Sequence, residues 1–257
     1  MFFREVNMDN SIHYKRNNIS NVILQIEFLK NETLSFIDNS KIYAMILENF
    51  PTQNIDTIDE VEVRVNNPQE VPGVDKHQYI RKSFSKDYSC KLSVLKKMIS
   101  LESNNYIDFN SFYGNIQGIL KTIFEEFPNE QTIRIGLRFI NMFPYDKNLK
   151  SYFNEHIKNY ISFYLNEKSA ENKLSRTMNR AEFLNQGKRI VLQYGFFNPS
   201  YPAILTKEDF VLDIDSINTS VFGSYEDVNA AILQAHFSIC ELFENCISDR
   251  LRGKLNE

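Results

Sequence analysis

Arg134 and Arg138 lie four residues apart with Gly136 midway, in the stretch Thr132-Ile-Arg-Ile-Gly-Leu-Arg-Phe-Ile-Asn-Met-Phe143. On an extended strand positions 134, 136 and 138 share one face, so two guanidiniums flank a residue without a side chain. That leaves room for a ligand or a partner's backbone. Asp213 and Asp215 alternate in the same way in Leu212-Asp-Ile-Asp215. If the two strands neighbour each other, the arginines and aspartates pair across the sheet as bidentate ion pairs and only close the sheet. If they do not pair so, the arginines offer an anion or phosphate site on an open sheet face. A metal site built on Asp213 and Asp215 would need a third carboxylate or a histidine. Asn141, three residues beyond Arg138, and His236 complete this candidate polar cluster. His236 adjoins the apolar stripe Val228, Ile232, Ala235, Ile239, Leu242 and Cys246. The expected role of a histidine on such a helix flank is to donate to a backbone carbonyl or a carboxylate rather than to catalyse.

Other chemical signatures are missing. No Ser-His-Asp order, Cys-His arrangement, P-loop or glycine-rich dinucleotide loop occurs in a chain with eight glycines. No catalytic residue, no resident metal and no cofactor is therefore expected. Lysine and arginine interleave with aromatics over Tyr79–Tyr88, a pattern that single-strand binders share with any amphipathic strand pair. The balance of 29 basic and 33 acidic residues gives a net charge of −4, which argues against a general nucleic-acid binder, since phosphate neutralisation favours a basic domain. The three cysteines, Cys90, Cys240 and Cys246, have neither metal nor disulfide spacing and read as reduced core residues. No apolar run approaches the roughly 20 residues of a membrane span, and the first ten residues lack the apolar region of a secretory signal. A cytoplasmic location without membrane contact is expected.

These residues need elements to position them. Strand periodicity marks 21–28, 61–65, 78–84, 90–101, 132–143, 189–197 and 209–215. Helical periodicity marks a segment from Asn39 or Ser40 to Phe50, ended by Pro51, and three long ones at 109–127, 148–164 and 225–251. The polar segment 167–187 is expected to hold a strand with a long turn. Residues 1–20 read as a leader, with 12–14 able to pair with a sheet edge, followed by a first α+β repeat over 21–130 and a second over 131–257. Each half has the order β-α-β-β-β-α. Tyr106 and Tyr225, 119 positions apart, lead into the last long helix of each half. At that offset Leu120 meets Ile239, Ile123 meets Leu242, and Phe124-Glu125 meets Phe243-Glu244. The expected fold is α+β, internally duplicated, with an antiparallel sheet covered by long helices.

Several pieces together resemble a sporadically distributed prokaryotic family whose members are of about this length. They are Arg134-Ile-Gly-Leu-Arg-Phe-Ile-Asn141, Leu212-Asp-Ile-Asp215, His236 with Phe243-Glu244 and Asp249-Arg-Leu-Arg252, the upstream Tyr106, Phe109 and Phe112, and the apolar N-terminal strand. The resemblance runs from about residue 21 to 252. It implies mobile or defence-linked genes, and with them a protein partner encoded nearby, but no mechanism. The element order is also similar to the duplicated, curved sheet of TBP-like folds, from which DNA binding does not transfer. The first expectation is a non-enzymatic binding or regulatory protein acting through protein–protein contacts. The alternatives are a nucleic-acid or nucleotide-binding module using Arg134 and Arg138, and a metal-dependent nuclease using Asp213 and Asp215.

Overall fold

The computed structural model describes residues 14–29, 41–61, 74–95, 97–166 and 174–257, and among them nine strands and five α-helices form an α+β fold. In the first half β1 (Ile19–Phe28) is followed by α1 (Lys41–Asn49), β2 (Thr52–Val61), β3 (Val74–Phe84), β4 (Cys90–Val94), β5 (Met98–Ser103) and α2 (Phe109–Glu126). The second half runs β6 (Thr132–Phe143), α3 (Glu155–Asn166), β7 (Thr177–Asn185), β8 (Lys188–Phe196), β9 (Phe210–Asn218), α4 (Tyr225–Cys246) and α5 (Asp249–Leu255). The strands form one antiparallel sheet in the order β2-β3-β4-β5-β1-β6-β9-β8-β7. No helix among the described residues is long and apolar enough to cross a membrane.

Three expected elements divide, each for a visible reason. The strand expected over 90–101 is a hairpin, because Leu95 turns back to donate to the Met98 carbonyl at 2.8 Å and splits it into β4 and β5. The helix expected over 148–164 opens as a 3-10 turn, Leu149–Tyr152, and restarts after Phe153, which adopts extended backbone to bridge Ile247. Asn154 then accepts from the Ile157 amide at 3.0 Å and caps α3. The same bridge interrupts the last helix after Cys246, and Ser248 caps α5 by accepting from the Leu251 amide. The strand β2 lies mostly over residues to which the sequence assigns no element, because its polar composition hides the strand period. Residues 62–65 of the strand expected at 61–65, residues 167–173 and residues 1–13 of the leader, with the first two positions of its possible edge pairing, lie outside the described residues.

By compactness the chain divides into two units, one made of Ile23–Ile135 with Val221–Val228. Its core begins with the alternation of β1, whose Leu24, Ile26 and Phe28 are fully buried, joined by Leu92, Ile99 and Leu101 of the β4–β5 hairpin. The helix α2 lays Phe112, Ile116, Ile119, Leu120 and Ile123 into this core, the spacing of one helical face. Phe124 meets Phe28 at 6.5 Å between ring centroids. Asp108 starts α2 by accepting from the Ser111 amide at 2.8 Å and from its hydroxyl at 2.7 Å, a cap worth about 1 kcal/mol. Gly118 of α2 faces α1, and an added Cβ there would lie 3.1 Å from the Met45 methyl.

The other unit holds Gly136–Ser220 and Asn229–Glu257, with the described residues before Ile23. Leu137, Phe139 and Phe143 of β6, Ile190, Leu192, Tyr194 and Phe196 of β8, and Phe210, Leu212 and Ile214 of β9 are buried in the phase that strand alternation sets. Phe153 wedges between Phe143 and Phe210 at 5.0 and 4.9 Å, which explains why the helix breaks there. The helices add Ile157 and Ile161 from α3 and Ile232, Ile239 and Leu242 from α4. Tyr14, ahead of β1, is tied down as well. Tyr14 donates to Glu244 at 2.6 Å, and Arg252 reaches the other oxygen of that carboxylate at 2.8 Å. Burial first, and then the bond to Glu244, push the Tyr14 hydroxyl well above its ordinary value.

Candidate functional site

Of the six candidate residues, Arg138 and Asp213 make the tightest contact. Arg138 Nε donates to Asp213 Oδ1 at 2.8 Å and its terminal nitrogen to Oδ2 at 2.6 Å, a bidentate fork between β6 and β9. Gln193, directly opposite Asp213 on β8, adds a 3.4 Å bond to Oδ2. The Asp213 side chain is 7% exposed and that of Arg138 is 40% exposed, so the carboxylate is the buried member. The Arg138 guanidinium is held above its ordinary range first by the bond to Asp213, against the opposing effect of burial, and then by the charges of Asp213 and Asp215. Asp215 thus belongs to the same electrostatic group.

The remaining three are placed elsewhere. Arg134 donates to Glu27 at 3.1 Å and to Gln25 at 3.3 Å on β1. Asn141 is 4% exposed, in step with the buried Phe139 and Phe143, and donates to the Leu212 carbonyl at 3.2 Å. His236 of α4 packs its ring 5.8 Å from Phe139. Phe139 follows Arg138 directly, so it and His236 lie on the opposite side of the strand from the guanidinium. Sequence proximity grouped six residues that the two faces of the sheet separate. Among the described residues no three His, Cys, Asp or Glu side chains gather as metal ligands would, and two oxygens of Asp213 already accept three hydrogen bonds.

Two features were not legible beforehand. Cys240 Sγ lies 3.4 Å from His236 Nε2, one helical turn away on α4. The contact has the partners of a thiolate–imidazole pair without its electrostatics. Burial, and then the charge of Glu244, push the Cys240 thiol up to about 12, the reverse of what activates a nucleophile. Burial pushes Cys246 up to about 12 as well. Both thiols are expected to resist iodoacetamide at pH 8 in the folded chain and to react within minutes in denaturant. Rapid native labelling of Cys240, read by mass spectrometry, would restore it as a nucleophile. The pH dependence has a definite sign. Unfolded thiols ionise near 9.0 and these near 12, so the stability they hold is complete below pH 9 and falls as pH rises toward 12.

The second feature is the loop after β8. Phe197, Tyr201 and Ile204 are 47%, 55% and 52% exposed. Yet the loop is ordered from within. Asn198 donates to the Ser175 carbonyl at 2.9 Å and to the Ala203 carbonyl at 2.7 Å, and Ser175 donates to Ala203 at 2.9 Å. Leu205 is buried, and the Arg176 guanidinium stacks 4.3 Å over the Tyr201 ring. Such a loop presents apolar side chains on a backbone held from within. The cluster of Asn, Ser and Pro at 198–202 marks a turn in the sequence, but the exposure of its aromatics depends on tertiary context. Comparison of the chain with protein-family models finds no match, and comparison with curated proteins finds none either.

Proposed function

We propose that the chain is a non-enzymatic binding or regulatory protein that acts through protein–protein contacts, in the cytoplasm of a prokaryote and within a mobile or defence-linked system. The observation that carries this reading is the braced loop bearing Phe197, Tyr201 and Ile204. A loop whose backbone is already braced loses less entropy on binding than a free one, and aromatics are enriched where proteins meet. The candidate arginines favour a phosphate ligand less. Arg138 is closed on Asp213 and Arg134 on Glu27, so each would have to give up a carboxylate to take an anion. Three free cysteines are compatible with a reducing compartment.

The reading includes an internal duplication with a TBP-like arrangement. In the sheet each half's first strand neighbours the same half's last, β1 beside β5 and β6 beside β9, with hairpins continuing outward. Among the described residues the first half then carries one strand more than the second, four after its helix against three. The test is co-purification with the product of an adjacent gene. A complex that survives with the wild-type chain and is lost in Tyr201→Ala/Ile204→Ala, at unchanged melting temperature, is the expected result. Oligonucleotides are expected not to bind even at low ionic strength. Salt-sensitive binding abolished by Arg138→Ala would replace this proposal with the nucleic-acid reading.

A further inference from the structure

Among the described residues the strand β7 ends the sheet, and it lacks two common protections of an edge, a bulge and a proline. It is nine residues long, pairs with β8 without a bulge from Thr177 to Asn185, and contains no proline. Leu184, near its end, is 77% exposed. The two-residue turn to β8 has Gln186 at φ 46° and Gly187 at φ 79°, the type I′ geometry in which Asn185 and Lys188 form the closing hydrogen-bonded pair. Counting back from Asn185, the odd-numbered residues bond to β8 and the even-numbered ones, Met178 to Leu184, turn their backbone groups outward.

The outward positions are self-complementary about one centre. We propose that two copies of the chain pair antiparallel through β7, with the two-fold axis at Ala181. That register sets Arg180 opposite Glu182 of the second copy, Glu182 opposite Arg180, and Met178 opposite Leu184. Centring the axis on Arg180 would oppose two arginines, and centring it on Glu182 two glutamates, both unfavourable. A shift by one residue would turn the faces over. A closed two-fold contact needs this kind of self-match, in which residue i meets j and j meets i. Within one copy Arg180 already bonds Glu182 at 2.7 Å and Arg189 approaches the same carboxylate at 3.5 Å. Pairing therefore joins two small ion-pair groups rather than burying a lone charge. The opposite edge does not offer this. The sequence of β2, Thr52-Gln-Asn-Ile-Asp-Thr-Ile-Asp-Glu-Val61, has acidic residues and no basic one, so no register between two copies sets opposite charges against each other.

Sedimentation velocity of the full chain tests the register. The 30.2 kDa chain is expected to sediment as a reversible dimer at tens of micromolar in low salt and to dissociate as salt rises. Arg180→Glu alone sets four carboxylates at the centre, and Glu182→Arg alone sets four guanidiniums there beside the two of Arg189. Each is expected to weaken self-association at least tenfold while leaving the circular dichroism spectrum unchanged. An equimolar mixture of the two variants restores both opposite-charge pairs and is expected to form a heterodimer. A wild-type chain that stays monomeric overturns the proposal. So does a dimer that survives both single variants, or a mixture that remains monomeric. None of these outcomes bears on the loop at 197–204, whose complex is read separately.

Discussion

Gly195→Ala is expected to be the most damaging small substitution in the sheet, lowering stability by about 3 kcal/mol or more. Gly195 has φ 153°, and an added Cβ would lie 2.1 Å from the Thr177 carbonyl oxygen and 2.9 Å from Met178 Cα. Both are backbone atoms of the partner strand, where Gly195 faces Met178, so no side-chain rotation relieves the clash. The strand must be pushed away, and Thr177 takes with it the 2.7 Å contact to Tyr160 of α3. Domains hold only about 5–15 kcal/mol in total, so a melting point lowered by about 6–12 °C, or loss of soluble protein, is the expected outcome. Gly114→Ala is the matched control. It is an exposed helical position with nothing within 4 Å of the added Cβ, and alanine there should be neutral or stabilising by up to about 1 kcal/mol. Equal melting temperatures for the two variants would contradict the close approach of β7 to Gly195.

How much of this was readable beforehand depended on where periodicity was clean. The alternation of β1 and β6 and the helical face of α2 carry their core residues in plain view, because a buried face demands one apolar residue per period. The strand β2 is hidden, since Thr52-Gln-Asn-Ile-Asp has no apolar alternation and becomes a strand by pairing with β3. Breaks were hidden for a related reason. Nothing local distinguishes Phe153 from its neighbours until Ile247 bridges it, and that contact spans most of the second half. In the candidate site the Arg138 and Asp213 partnership followed from residue type and strand phase. Asn141 and His236 lie on the other face, the one that the helices cover, and residue type alone does not mark that face. Arg180, Glu182 and Arg189 carry little signal in the sequence, because the segment around 167–187 shows no apolar alternation, although charges alternate at 180 and 182.

Arg138→Ala is expected to cost about 2–3 kcal/mol, and the reason lies with Asp213 rather than with the arginine. Removing the guanidinium takes away two charge-assisted hydrogen bonds from a carboxylate that is 7% exposed, leaving it the 3.4 Å bond from Gln193. Breaking a fully buried pair costs about 3–5 kcal/mol. Because Arg138 is 40% exposed, water can enter the vacated space, which sets the expectation lower, at a melting shift of about 5–10 °C. Arg138→Lys keeps the charge and loses the fork, so an intermediate loss near 1 kcal/mol is expected. The decisive variant is Arg138→Met/Asp213→Val, which removes both charges together. If the pair serves only to lock β6 to β9, apolar packing between the strands recovers most of the loss, and the double variant melts within about 1 kcal/mol of wild type. If Arg138 is instead held for an external anion, Arg138→Ala would melt close to wild type while losing phosphate affinity. Thermal melts of the three variants, with and without added phosphate, separate these outcomes. The bidentate geometry and the buried carboxylate together favour the first, in which the arginines that drew attention in the sequence are structural cations.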